Sequence, residues 1–360
     1  MNKNIYSVIA ASGSYIPEKI VPNSDFLSNI FYDSDGKVIE VSNEELIQKF
    51  QKITNIVERR HLDNGYVTSD IAYLAADRAL KSSNIDPETI DYVIVAHNFG
   101  DVRPDNIRSD IVPSLAARVK HKLGIKKPEA VAYDLIFGCP GWLQGVIQAN
   151  YYIKSGDAKR VLIIGAEVLS RVSDPHDRDS LIYSDGAGAV VLEAKESDTP
   201  VGILSHATRS DTFTYANLLW MSKSYNPDKS GKEIYLKMNG RKLYEYALNN
   251  VPQLVKNCIE KAKLTLDKIN KVLIHQANGK MDEAILQRLF RLYENVKIPS
   301  DIMPMIINKL GNSSVATIPI LLDMILKGDI QDQRLMPNDN IVFASVGAGM
   351  NINAVTYRVA

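Results

Sequence analysis

AYDLIFGCPGWLQGVIQANYYIKSGD, residues 132–157, is the stretch whose reading decides the fold. An apolar run from Val131 to Phe137 reads as a strand. The chain then turns at Gly138, passes Cys139 and Pro140, and enters a pattern that reads as a buried helix to Lys154. Glycine permits a tight turn, and proline suits the first turn of a helix, where its missing N–H costs nothing. Cys139 therefore stands between a strand and a helix N-terminus. Unpaired N–H groups and the positive end of the helix dipole favour a thiolate there. The same N–H groups could hold a developing oxyanion. On local context alone two readings stand: a nucleophile, or a small buried hydrophobe.

The order of elements around this unit occurs twice. Strands are expected at residues 5–11, 92–97, 160–166 and 186–192, and helices at 42–52, 69–82 and 111–123; residues 98–110 read as loop. In the second half, residues 201–206 match the opening strand, and a helix is expected over 243–262 with a kink or break at Pro252. Leu266-Asp267, Ile269-Asn270 and Val272–His275 then echo Ile85-Asp86, Ile90-Asp91 and the strand at Tyr92. Gly311-Asn312 and the apolar helix ending at Gly328 echo Gly138-Cys139 and the helix ending at Gly156, with glycine spacings of 17 and 18 positions. The polar segment 209–240 has no counterpart and reads as a surface cap or binding loop.

This echo implies an α/β fold of two similar βα halves, 1–200 and 201–360, about a pseudo-twofold axis. Near-continuous Val, Ile and Leu strands alternating with helices predict buried, mainly parallel sheets covered by helices. Cys139 and Asn312 then occupy equivalent positions at helix N-termini near the axis, and His275 ends a strand that approaches the same place.

Composition narrows the function. The chain has 360 residues, 45% of them hydrophobic, with 42 Lys+Arg balancing 42 Asp+Glu. Charge balance gives no sign of a general nucleic-acid or membrane surface. Cys139 and Cys258 make neither a disulfide framework nor a zinc site. No run approaches the roughly 18 apolar residues of a membrane helix, and the expectation is a cytoplasmic protein. Asp185-Gly186-Ala187-Gly188 is not a dinucleotide fingerprint, because a strand and not a helix follows it.

A thiolate exchanges readily with thioesters. An imidazole and an amide can both donate to a carbonyl oxygen and stabilise an enolate. Cys139, His275 and Asn312 thus fit acyl transfer followed by carbon–carbon bond formation better than peptide hydrolysis. Each also has a plain structural reading: a satisfied core histidine for His275, a helix cap for Asn312, a tight strand turn for Gly347-Ala348-Gly349.

Phe137-Gly138-Cys139-Pro140-Gly141, Asp174-Pro175-His176-Asp177-Arg178, Ser184–Ala189, His275-Gln276-Ala277-Asn278 and Gly311-Asn312-Ser313-Ser314 together resemble β-ketoacyl-acyl carrier protein synthase III, the initiating condensing enzyme of fatty acid synthesis in the thiolase superfamily. The likeness runs from Ile5 to Arg358. It implies a thiolase-like fold layered α-β-α-β-α. It also implies a ping-pong reaction that needs no cofactor, with acyl-CoA and malonyl-acyl carrier protein as substrates. Cys139 would take the acyl group. The N–H groups of Cys139 and of the Gly347-Ala348 turn would form the oxyanion hole, and His275 and Asn312 would stabilise the malonyl enolate. The resemblance further implies a homodimer in which Val112, before Pro113, reaches the neighbouring acyl tunnel, and carrier-protein docking on Lys280, Arg288 and Arg291.

The chain departs from the family where CoA and the acyl chain bind. Lys49 and Ile53 stand where the family holds the adenine, Thr54-Asn55-Ile56 replaces its usual motif, and Leu135–Gly138 and Pro140 replace the small residues around the cysteine. A specialised enzyme that joins longer or β-keto acyl chains, or only transfers acyl groups, is the alternative. Thiolase is disfavoured, because the C-terminal glycine turn carries Ser345-Val346-Gly347 and no second cysteine.

Overall fold

The computed structural model describes residues 4–229, 231–293 and 296–360. Of the expectations above, residue 230 in the 209–240 segment and the first three residues lie outside this set. The strands are β1 Asn4–Tyr15, β2 Lys19–Pro22, β3 Glu58–His61, β4 Tyr92–Ala96, β5 Asp101–Arg103, β6 Asn106–Asp110, β7 Val131–Leu135, β8 Arg160–Val168, β9 Asp185–Ser197, β10 Gly202–Ser210, β11 Leu219–Ser222, β12 Tyr235–Met238, β13 Lys271–Ile274, β14 Asn340–Gly347 and β15 Asn351–Arg358. The helices are α1 Asn43–Thr54, α2 Thr68–Ser82, α3 Leu115–Lys122, α4 Gly141–Ser155, α5 Thr212–Tyr215, α6 Gly240–Lys261, α7 Gly279–Arg291, α8 Ile307–Leu310 and α9 Thr317–Lys327.

A five-stranded sheet in the order β1-β9-β8-β4-β7 is built from the first half of the chain, and a four-stranded sheet in the order β10-β15-β14-β13 from the second. Side chains alternate across each sheet. Val93 and Val95 of β4 face Ala72, Ala75 and Ala79 of α2 in one cluster. Ile94 and Ala96 face Trp142 and Ile147 of α4, in a cluster that also holds Leu321 of α9 and Phe343 of β14. On the far side of the second sheet, Val342 and Ala344 meet Val255 of α6 and Ile285 of α7. The order of layers is α2/α3, first sheet, α4/α9, second sheet, α6/α7, which is the α-β-α-β-α architecture of a thiolase-like fold.

The central helix α4 shows which force wins. Gly145 costs about 1 kcal/mol against alanine in the helix interior. Burying a large apolar side chain contributes about 1.5–3 kcal/mol, and Trp142, Leu143, Ile147 and Ile153 are all buried. Gly145 is there for clearance, since a Cβ on it would lie 2.8 Å from Ile163 Cγ2 of β8. The helix ends where Gly156 takes φ +83°.

Four expectations are corrected. The sheets are mixed, not mainly parallel: only β7-β4-β8 and β13-β14 are parallel, while β9 pairs antiparallel with β8 and β1, and β15 with β14 and β10. The turn between β14 and β15 is too short for a crossover, so they form a hairpin. Residues 98–110 are not all loop, because β5 and β6 pair across the Pro104-Asp105 turn. Buried Asp101 ties that hairpin down, accepting from Ser69 N and Oγ at 2.6 Å each and from Arg118 Nη1 at 2.6 Å. Residues 111–114 are not helical: Ser114 caps α3, accepting from Ala117 N at 3.2 Å, after a cis Val112–Pro113 bond. Pro252 makes no break, because it lies within one continuous helix, α6.

Candidate active site

Cys139 stands at the elbow between β7 and α4. Gly138 makes the turn at φ +64°, and Pro140 occupies the N-cap position of α4. Gln144 N donates to Pro140 O at 2.9 Å, closing the first turn. Cys139 lines a cavity of about 630 Å³ including its open mouth, and His275, Asn312, Gly347 and Ala348 line the same cavity. Five positions from four distant segments thus share one wall.

His275 follows β13, with its N–H donating to Ala344 O of β14 at 2.9 Å. It is buried, and its Nδ1 has no partner among the described residues. Burial lowers its pKa to about 4, so the imidazole is neutral at physiological pH.

Asn312 is clamped by its backbone. Its N–H donates to Ile182 O at 2.9 Å, and its carbonyl accepts from Ser184 N at 2.9 Å. Its Oδ1 accepts from Ser314 N at 2.8 Å. With that oxygen engaged, the amide N–H groups are what Asn312 offers the cavity. The equivalence with Cys139 is looser than expected, because a 3-10 turn, Ser314–Ala316, intervenes before α9 begins at Thr317.

Cys139 is partly exposed through the cavity. Burial nonetheless pushes its thiol up to about 11, and the charge of Glu167 adds to the rise. The Ser314 hydroxyl, with Oγ 3.3 Å from Sγ, opposes it. The helix terminus was expected to favour a thiolate. Desolvation outweighs it, so the resting group is a thiol.

Apart from Asn98, Tyr183 and Ser314, the remaining cavity wall is apolar. Leu169 and Ile182 come from the first half, and Leu219, Leu236 and Met238 from β11 and β12. The 209–240 segment, expected as a surface cap or binding loop, therefore supplies a cavity wall. Its anchor is Lys237 of β12, fully buried, with Nζ 2.5 Å from Asp174 Oδ2 and 3.1 Å from Asp177 Oδ2.

Other expected residues lie elsewhere. Val112 is 83% exposed and does not line the cavity. Lys280, Arg288 and Arg291 lie exposed on α7, just past cavity residues His275 and Ala277. Arg288 Nη1 is tied to α6 through Leu248 O at 3.1 Å and Asn249 Oδ1 at 2.7 Å. Lys49 and Ile53 lie exposed on α1, whose C-cap Asn55 packs against Gly279 at the start of α7. Among the described residues no group of three or more His, Cys, Asp or Glu is placed to hold a metal ion.

Ser314, Asn98 and Glu167 were given no role from the sequence. The signals available were the Gly311–Ser314 motif, which contains Ser314, and Glu167, a carboxylate within the apolar run of β8.

Comparison with known proteins gives this arrangement its relatives. The sequence profile described as 3-Oxoacyl-[acyl-carrier-protein (ACP)] synthase III matches residues 133–212, and that of its C-terminal region matches residues 259–359. The β-ketoacyl-[acyl-carrier-protein] synthase III of Staphylococcus aureus strain JH1 is 33% identical over 352 residues, covering 97% of this chain and 98% of the relative. The chain belongs to the β-ketoacyl-acyl carrier protein synthase III family. Solved structures of that synthase superpose over nearly the whole chain. The one from Thermus thermophilus has a TM-score of 0.81 at 31% identity, covering 98% of this chain and 99% of that one. The one from Aquifex aeolicus VF5 has a TM-score of 0.78 at 29% identity, with the same coverage. The family members are condensing acyltransferases. Among the described residues no helix is long and apolar enough to cross a membrane.

Proposed function

We propose that this chain catalyses the decarboxylative Claisen condensation that initiates fatty acid synthesis, with Cys139 as nucleophile. The observation that carries the reading is the single cavity lined by Cys139, His275, Asn312, Gly347 and Ala348. The Cys139 sulfur attacks an acyl thioester, and the carbon–sulfur bond to CoA breaks. CoA leaves with the proton, and the acyl group stays on Cys139. During this step the N–H groups of Cys139 and of the Gly347-Ala348 turn face the carbonyl oxygen. Malonyl-acyl carrier protein then enters. Its thioester carbonyl accepts from neutral His275 and from the Asn312 amide, and carbon dioxide departs, leaving its electron pair as an enolate. The enolate carbon attacks the acyl-Cys139 carbonyl, and the sulfur leaves and is reprotonated. The product is a β-ketoacyl-carrier protein. No step calls on a cofactor.

In this reading the protein is a cytoplasmic homodimer. Val112 reaches into the partner, and Lys280, Arg288 and Arg291 meet the acidic carrier protein. A specialised role with longer acyl chains is the second reading, favoured by the apolar wall from β11 and β12.

Intact-protein mass after incubation with a panel of acyl-CoA and acyl-carrier donors, beside Cys139→Ala, tests both. A donor-specific adduct absent from the variant supports the condensing reading, and the chain length accepted separates starter from specialised use. Folded protein that takes no acyl group and releases no carbon dioxide from malonyl-carrier protein overturns it.

A further inference from the structure

Among the described residues Cys139 has one side-chain hydrogen-bond partner, and behind that partner stands a buried chain of polar groups. Ser314 Oγ lies 3.3 Å from Cys139 Sγ. Asn98 Nδ2 lies 3.2 Å from Ser314 Oγ and 2.6 Å from Glu167 Oε2. The Asn98 backbone N–H also meets Glu167 Oε2, at 3.0 Å. The four residues come from β8, the loop after β4, the turn before α9 and the elbow before α4, so the chain crosses both halves of the fold.

The direction of each bond follows from donor and acceptor chemistry. An ionised carboxylate only accepts, so both bonds to Glu167 are donated by Asn98. The amide nitrogen has two hydrogens: one goes to Glu167, and the other points to Ser314 Oγ. Ser314 Oγ then receives a hydrogen from Asn98 and turns its own hydrogen to the Cys139 sulfur. A donor aimed at sulfur favours the thiolate that attack requires. Ser314 is held in place at some cost: its φ is +52°, uncommon for a residue with a side chain, and its N–H is fixed on Asn312 Oδ1.

We propose that Glu167 is a positioning residue for the nucleophile, fixing through the Asn98 amide and the Ser314 hydroxyl the direction of the hydrogen bond that reaches Cys139 Sγ. The proposal rests on the reading of Cys139 as nucleophile. The titratable groups that face Glu167 are Cys139 and His97, whose Nε2 meets Asp134 Oδ2 of β7 at 3.0 Å. Burial raises Glu167 to about 7, and the interaction with His97 and then the bonds from Asn98 and the Phe99 N–H oppose the rise. The device is thus set when the carboxylate is ionised. The charge of Glu167 itself disfavours the thiolate, so a single replacement mixes two effects and a cycle is needed to separate them.

The experiment is alkylation of Cys139 by iodoacetamide from pH 6 to 11, read by peptide mass. Buried Cys258 serves as an internal control, and folding is checked by thermal melting. In the wild-type background Ser314→Ala is expected to slow alkylation at pH 8 by about tenfold, the scale of a hydrogen bond to a charged group. In the Glu167→Gln background the same change should matter less than about twofold, because a glutamine amide no longer fixes the bond direction. Asn98→Leu is the second background if Glu167→Gln does not fold, with the same expectation. An equal Ser314→Ala effect in both backgrounds, or none in the wild type, overturns the proposal. Alkylation needs no acyl donor, so failure of the condensing reading would show separately, as an absence of acylation in the wild type.

Discussion

Gly347 presses on Cys139 so closely that a Cβ added to it would stand 2.5 Å from the Cys139 backbone nitrogen. The contact is reciprocal across the two halves, since a Cβ on Gly138 would stand 2.7 Å from the Ala348 nitrogen. The nucleophile elbow of one half and the glycine turn of the other are thus built as one piece.

Gly347→Ala should therefore separate folding from chemistry. Overpacking typically costs about 1–3 kcal/mol and occasionally more, and here the added Cβ meets backbone that must itself shift. Displacing an oxyanion donor costs about 10²–10³-fold in rate. The time course of donor-dependent mass gain should slow by at least about 100-fold in a protein that still melts cooperatively. An acylation rate within a few-fold of wild type would remove Gly347 from the oxyanion hole.

Asn312→Asp is the sharper test of the second half-reaction. Its Oδ1 can still accept from Ser314 N, at 2.8 Å in the native chain, while the N–H donors are lost. Carbon dioxide release from malonyl-carrier protein should fall by about 100-fold, with acylation of Cys139 changed only a few-fold. Loss of both half-reactions together would contradict the division of roles.

The acid limb of stability should carry the signature of His275. Burial lowers its folded pKa to about 4, below the usual 6.5. The unfolded chain therefore binds this proton first. No penalty exists above about pH 6.5; it grows as pH falls toward 4, to about 3 kcal/mol for a shift of this size. Melting temperature against pH should flatten over that interval in His275→Gln. An unchanged slope would mean that His275 is not held neutral.

How far the sequence carries can be read from these same residues. The elbow at Cys139 was legible because Gly138, Pro140 and Gly156 punctuate a strand and a helix locally, and the echo at Gly311 doubled it into a two-halved α/β fold. Strand direction was not, because near-continuous apolar strands suit either direction once both faces are covered, and the connections decide. The hairpin at Asp101–Asp110 was hidden by its polar strands, whose anchor Asp101 binds Ser69 and Arg118 from elsewhere in the chain. Glu167, Asn98 and Ser314 are each ordinary in their own segments, and only the fold brings them behind Cys139. The rise of the Cys139 thiol was hidden for the same reason: the helix terminus is local and visible in sequence, whereas desolvation is set by everything packed around it.

Lys237 offers a final test, of how the cavity wall is held. Its Nζ sits between Asp174 and Asp177 and 3.4 Å from the centroid of the Tyr225 ring. Its strand neighbours Leu236 and Met238 line the cavity. Removing one partner of a buried pair leaves an uncompensated charge, at a cost of about 3–5 kcal/mol. Lys237→Met should lower the urea midpoint accordingly. Because Asp174 also accepts from Ser224 Oγ at 2.9 Å and Tyr225 N at 2.8 Å, the loss should loosen the β11–β12 pair, with faster amide exchange there than in β8. Neutralising the carboxylates in the same chain, with Asp174→Asn and Asp177→Asn, should restore most of the midpoint, because an unpaired charge and not a missing side chain is what destabilises. If Lys237→Met melted like the wild type, the ion pair would not be the anchor, and packing of Leu236 and Met238 alone would have to hold the wall.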